Sequence, residues 1–102
     1  MSLYGGGKEM IEDLLKIINH YEIDKQLKYI HTEYYELDEA IFQAGEFPYD
    51  EEINHVAEEI ADVMVMLKQF QYYYNIDDEE IENIMKEKIK RQLERIDEEN
   101  KK

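Results

Sequence analysis

Residues that break helices are nearly absent from this 102-residue chain, which constrains its fold more than any other feature. The one proline is Pro48, and the four glycines stand at positions 5–7 and 45. Between these breaks, apolar residues recur every three or four positions, as they do along one face of an α-helix. No segment alternates apolar and polar residues over a length typical of strands. The sequence therefore predicts an all-α fold.

Four helices with short connections are expected, in an antiparallel, bundle-like domain over residues 8–99. Their predicted spans are about 8–21, 24–44, 50–74 and 78–98. The last three each begin near an aspartate that can cap a helix, namely Asp24, Asp50, and either Asp77 or Asp78. Residues 1–7 are expected to be disordered, and residues 100–102 to form a frayed tail.

The third predicted helix contains an unbroken apolar run, Val63 to Leu67. Such a run leaves no solvated side on that part of the helix, so burial on two sides is expected. A domain of this size buries only a modest core alone. We therefore expect a homo-oligomer, a homodimer or homotetramer in which the middle helices of the subunits pack together.

The charge balance excludes several classes of function. The chain has 26 acidic and 12 basic residues, a net charge of −14, which argues against non-specific nucleic-acid binding. The absence of cysteine excludes disulfides, zinc–thiolate sites and thiol nucleophiles. No apolar run approaches the roughly 20 residues needed to span a bilayer, and no signal peptide is visible. A cytoplasmic protein without a membrane partner is expected.

Two acidic pairs are the candidate functional residues, Glu33-x-x-Glu36 on the second predicted helix and Glu59-x-x-Asp62 on the third. Residues three apart point the same way on a helix, so two facing helices would bring four carboxylates together. This set of oxygen ligands predicts a site for a hard cation such as Mg²⁺. The alternative is chance, because the same spacing recurs in this acidic chain at Glu79 and Glu82.

Helical periodicity places each pair beside a predicted core stripe, where a cleft would form. The pair Glu33 and Glu36 lies in line with Gln26 and Tyr29, which are candidates for substrate binding; Tyr29 or Tyr34 could stack on a base. The predicted core stripes are Ile30, Tyr34, Leu37 and Ile41 on the second helix, and Val56, Ile60, Val63, Leu67 and Phe70 on the third.

A basic cluster lies on the fourth predicted helix, where Lys88, Arg91 and Arg95 share a face. One interpretation is a clamp for phosphate oxygens. The other is simple pairing with the neighbouring Glu87 and Glu94 and with the helix C-terminus.

The order Gln26…Glu33-Tyr-Tyr-Glu36-Leu37…Ala40-Ile41, followed by Glu59-Ile-Ala-Asp62-Val63, resembles the MazG-type all-α nucleoside triphosphate pyrophosphohydrolases. The similarity covers roughly residues 8–96. It departs from the family pattern in lacking the asparagine often found between the later lysine and arginine, where Gln92 is the nearest amide.

The resemblance implies a Mg²⁺-dependent hydrolysis of a (d)NTP to the monophosphate and pyrophosphate, with Mn²⁺ as a substitute metal. It implies that Glu33, Glu36, Glu59 and Asp62 are the metal ligands and that Glu36, with Glu33, acts on the attacking water. Lys88, Arg91 and Arg95 would hold the distal phosphates. The alternatives are a phosphoribosyl-ATP pyrophosphohydrolase of the same fold and a non-enzymatic acidic helical binding protein that mimics the charge of DNA.

Overall fold

A computed structural model describes residues 7–101, and within this range every secondary-structure element is an α-helix. The helices are α1 (Lys8–Tyr21), α2 (Ile23–Ala44), α3 (Asp50–Tyr73) and α4 (Asp78–Asn100). The prediction of an all-α, four-helix chain is confirmed. The disordered segment predicted over residues 1–7 lies outside the described range except for Gly7, as does Lys102 of the predicted tail.

Two of the predicted helix caps are wrong. The second helix begins at Ile23, because Glu22 alone reverses the chain after α1 and does so with a positive φ of 71°. Asp24 therefore lies inside the first turn of α2 rather than before it. The third helix is capped one residue earlier than predicted, at Tyr49, whose backbone N–H donates to Glu52 Oε1 at 3.0 Å.

The turn between α3 and α4 follows the prediction more closely. Asn75 follows the end of α3 and has a φ of 56°. This is a left-handed conformation that asparagine tolerates better than most residues. The Asp77 carboxylate accepts a hydrogen bond from the Glu80 N–H at 2.8 Å. Of the two predicted caps for α4, Asp77 is thus the one used.

Helices α1, α2 and α3 pack against one another and form the core. A hydrogen bond joins Gln26 near the start of α2 to Gln69 near the end of α3, so the two helices run antiparallel. Helix α1 lies against both of them. The buried apolar side chains are Leu14, Ile18, Ile30, Ala40, Val63, Met66 and Tyr72.

The predicted core stripes are correct at Ile30 and Val63 but wrong at several neighbouring positions. Ile60 and Leu67 are 43 % and 46 % exposed, and the side of α3 that carries Glu59 faces the core instead. The predicted inward face of each helix is displaced from the observed one by about one residue. The two faces could be confused because an apolar stripe and a polar stripe lie side by side on each helix. Within a single chain, the polar stripe is the one turned inward.

The displaced apolar residues form one exposed row on α2 and one on α3. They lie one position after inward-facing residues on both helices. Because α2 and α3 are antiparallel, this equal offset places both rows on the same side of the helix pair. We call this surface the outer apolar face, and it consists of Leu27, Tyr34, Ile41, Ile53, Ile60 and Leu67.

Helix α4 has no buried residue and does not pack on α1, α2 or α3. Its direction is fixed at its first residue, Asp78, whose carboxylate accepts hydrogen bonds from Lys68 Nζ at 2.7 Å, Gln71 Nε2 at 2.8 Å and Tyr72 OH at 2.8 Å. Burial acts to raise the pKa of Asp78, but these donors outweigh it and hold the pKa below its ordinary value. The helix beyond this anchor projects from the core.

No helix within residues 7–101 combines the length and the apolar character that crossing a bilayer requires.

Candidate metal centre

Three carboxylates meet between α2 and α3. One oxygen from each of Glu33, Glu59 and Asp62 lies within 4.8 Å of the other two. Glu33 comes from the inward side of α2, while Glu59 and Asp62 lie less than one turn apart on α3. The antiparallel pairing of the two helices is what sets them opposite each other. The sequence prediction that the two acidic pairs converge holds for these three residues.

Two of the three carboxylates are buried, and each has one oxygen without a hydrogen-bond partner. Glu33 and Glu59 are only 5 % and 8 % exposed. The Oε2 atom of each is sealed from solvent and accepts no hydrogen bond from any group in the described part of the chain. Removing a carboxylate oxygen from water without a donor is costly, so such atoms call for a proton or a cation.

The pKa values of Glu33 and Glu59 also indicate that their negative charge is poorly stabilised. Burial raises the pKa of the Glu33 carboxyl, and the negative charges of Glu36 and Asp62 raise it further, against an opposing hydrogen bond from the Tyr29 hydroxyl. Burial, Glu36 and Asp62 also raise the pKa of Glu59, which His55 partly offsets. Both groups are therefore poorly compensated as anions, and a bound cation would reverse this.

Glu36, the fourth predicted ligand, lies beside the cluster rather than in it. Its side chain is exposed and lines a cavity of about 330 Å³ together with Glu59 and His55. Its charge reaches both buried carboxyls, since it raises the pKa of each. Glu36 is thus close to the site but retains access to water.

A larger cavity of about 490 Å³ adjoins the cluster on the side of α1. Glu33 and Asp62 form part of its wall, so the carboxylates open into it. The structure brings both predicted substrate-binding residues of α2, Gln26 and Tyr29, to this cavity. The remaining lining residues are Ile17, Tyr21, Lys25, Val65, Met66 and Gln69.

The predicted basic residues of α4 are not brought to the carboxylates within one chain. Lys88, Arg91 and Arg95 are exposed on a helix that leaves the core. Lys25 is a basic residue that does line the larger cavity, and sequence reasoning missed it. Its spacing of four from Tyr29 and eight from Glu33 would have placed it on their side of α2.

Sequence reasoning also missed Gln69, which is 1 % exposed and lines the larger cavity. Glu59, Asp62, Met66 and Gln69 follow one another at intervals of three and four, the spacing of a single helix face. That periodicity could have predicted that Gln69 faces the site. The neighbouring apolar stripe is the stronger pattern, and it predicts a different inward face.

The donor set fits a hard divalent cation. All three converging groups are carboxylates, two have an unpartnered buried oxygen, and Asp62 remains exposed toward the cavity. Oxygen-only sites of this kind suit Mg²⁺, Mn²⁺ or Ca²⁺ rather than softer metals. No family model, curated protein or solved structure matches the chain.

Proposed function

We propose that this chain is a Mg²⁺-dependent nucleoside triphosphate pyrophosphohydrolase of MazG type. In this reaction, water adds across the anhydride bond between the α- and β-phosphates and yields the (d)NMP and pyrophosphate. The observation that carries the proposal is the convergence of Glu33, Glu59 and Asp62 beside a large cavity, with a sealed, unpartnered oxygen on both Glu33 and Glu59. The resemblance of both acidic pairs to that family supports the same reaction.

The proposed roles of the residues are of two kinds, binding the cation and activating the attacking water. Glu33, Glu59 and Asp62 hold the cation. Mg²⁺, when bound, neutralises charge on the phosphate oxygens and orients the attacking water. Glu36 is the proposed general base, because its carboxylate is beside the cluster, exposed, and free to accept a proton from that water.

We propose further that the working form is a homo-oligomer, of which a homodimer is the smallest. The outer apolar face and the exposed residues Ile84, Ile89, Leu93 and Ile96 of α4 are apolar surfaces without a partner in the described chain. Packing of one subunit's α4 on another subunit would also bring Lys88, Arg91 and Arg95 toward a site rich in negative charge. A second copy thus supplies the predicted phosphate clamp.

Ile60→Glu tests this assembly, since it places a charge at the centre of the outer apolar face. Light scattering should give a mass of at least twice 12.4 kDa for the unmodified protein and a shift toward 12.4 kDa for the variant. Met10→Glu, at another exposed apolar position, on α1, should leave the mass unchanged. A monomeric unmodified protein would contradict the proposal.

Product analysis tests the activity itself. The protein is incubated with canonical and modified (d)NTPs and with phosphoribosyl-ATP, in Mg²⁺ or in chelator, and the products are separated. We expect (d)NMP and pyrophosphate from at least one (d)NTP, in Mg²⁺ only. Turnover of phosphoribosyl-ATP alone would favour that sister activity, and no turnover of any substrate would favour an acidic binding protein.

A further inference from the structure

A buried pair of amides links α2 to α3 at the end of the larger cavity away from the carboxylates. Gln26 Nε2 donates to Gln69 Oε1 at 2.7 Å. Both side chains are more than nine-tenths buried, with exposures of 7 % and 1 %. Two glutamines thus occupy core positions where aliphatic side chains would avoid the cost of burying polar atoms.

The remaining hydrogen-bonding groups of the pair are poorly satisfied within the chain. The other contacts of the two Nε2 groups are with Met66 Sδ, at 4.0 Å from Gln26 and 3.6 Å from Gln69. A thioether sulfur is a weak acceptor. Gln26 Oε1 accepts no hydrogen bond from residues 7–101, yet it is not sealed from solvent, and Gln26 lines the cavity. The Gln26 amide therefore offers an acceptor to a ligand in the cavity.

The position of the pair relative to the metal centre suits a nucleotide. Gln26 lies seven residues before Glu33 on α2, and Gln69 lies seven residues after Asp62 on α3. Seven residues of helix rise about 10 Å, so the amides and the carboxylates stand at opposite ends of one elongated cavity. The aromatic side chains of Tyr21 and Tyr29 are in the wall of this cavity. Aromatic rings are sequence-tolerant stacking surfaces for bases.

We propose that the Gln26–Gln69 pair recognises the hydrogen-bonding edge of a nucleobase and sets which nucleotide is preferred. This inference rests on the proposed function, because the triphosphate at the carboxylate end is what directs the base toward the amides. Gln26 presents the accessible acceptor, and Gln69 holds that amide in position. A site that hydrogen-bonds the correct base discriminates against bases whose edge leaves its buried polar groups unpaired.

The kinetic test compares the four canonical dNTPs. The ratio of kcat/KM between the best and the worst dNTP is measured for the unmodified protein and for Gln26→Met and Gln69→Met, which keep the length of the side chain. The ratio should fall at least about fivefold in both variants, the scale of one lost hydrogen bond in a buried site. Asn83→Met, at an exposed amide of α4 outside the basic cluster, should leave it within about twofold. Unchanged ratios in both variants would overturn the proposal.

A titration with nucleosides separates this inference from the proposed activity. Deoxynucleosides carry no phosphate, so their binding does not depend on the metal centre or on turnover. At millimolar concentration the preferred deoxynucleoside should shift the side-chain NH₂ signals of Gln26 and Gln69 in ¹⁵N-labelled protein, and Gln26→Met should weaken binding. If no dNTP is hydrolysed, the proposed activity fails while this titration still decides the role of the amides. Absence of shifts from all four nucleosides would contradict that role.

Discussion

Replacing Glu33, Glu59 or Asp62 by its amide is expected to lower kcat/KM for the preferred nucleoside triphosphate at least about 100-fold, the scale seen when one electrostatic group of an active site is removed. Each change keeps the shape of the side chain and removes one charge from a cluster whose oxygens lie within 4.8 Å of one another. The helix content should not change, because none of these carboxylates forms a structural hydrogen bond across helices within residues 7–101. Pyrophosphate release and circular dichroism measure the two outcomes.

Two further variants sharpen this experiment. Glu36→Gln should lower kcat while leaving Mg²⁺ affinity nearly intact, because Glu36 is beside the cluster and acts on water. Glu79→Gln belongs to an acidic pair of the same spacing that lies on α4, far along the chain from the site, and should change kcat/KM less than about twofold. Retention of activity by two of the three amide variants of the cluster would contradict the assignment of the metal centre.

Glu33→Gln is also expected to stabilise the metal-free protein at pH 7. In the metal-free chain Glu33 is 5 % exposed and has an unpartnered oxygen, so its ionised form is stabilised less in the folded state than in water. Removing that charge should increase the free energy of unfolding by about 1 kcal/mol, equivalent to a rise in Tm of about 4–8 °C for a domain of this size. Thermal unfolding in chelator measures the change, with Glu39→Gln at an exposed position as the control.

The pH dependence of this effect has a defined sign. The pKa of Glu33 is higher in the folded state than its ordinary value of 4.5, so folding takes up a proton at intermediate pH. The stability that this group contributes is fully present below pH 4.5 and is lost as the pH rises through that value to the raised pKa. The advantage of Glu33→Gln should therefore grow as the pH rises from 4.5 to 7.

Mg²⁺ should reverse the order of stability of the two proteins. A cation that binds only the folded state raises Tm. At 100 times its Kd it increases the free energy of unfolding by about 2.7 kcal/mol. The unmodified protein should gain this stabilisation, and Glu33→Gln should gain little of it. A variant that is less stable than the unmodified protein in chelator would show instead that Glu33 is satisfied in the metal-free fold.

The helices and the acidic pairs could be predicted because their signals are local. Periodic apolar residues, Gly45 and Asp77 determine where helices lie and end without reference to the rest of the chain. The short connection between α2 and α3 then brings Glu33 opposite Glu59 and Asp62.

The inward face of α2 and α3 could not be predicted in the same way. An apolar row and a polar row lie one residue apart on each helix, and periodicity favours burying the apolar one. The chain alone buries Glu59 and Gln69 and leaves Ile60 exposed. Periodicity alone does not distinguish a row of side chains that the folded chain buries from a neighbouring row that it leaves exposed.

The direction of α4 and the role of Gln69 depend on particular side-chain contacts between helices. Asp78 fixes α4 through three donors on α3, and none of these pairings leaves a periodic pattern. A single glutamine such as Gln69 carries no signal until Gln26 is found opposite it.

Paramagnetic broadening by Mn²⁺ tests most directly whether Glu33, Glu59 and Asp62 form a cation site. Substoichiometric Mn²⁺ added to ¹⁵N-labelled protein should broaden amide signals near these residues first, and Glu33→Gln should abolish the selectivity. Added Mg²⁺ should restore the signals by competition. Broadening spread over the acidic surface of α4, or unaffected by Glu33→Gln, would show that the cluster is not a metal centre.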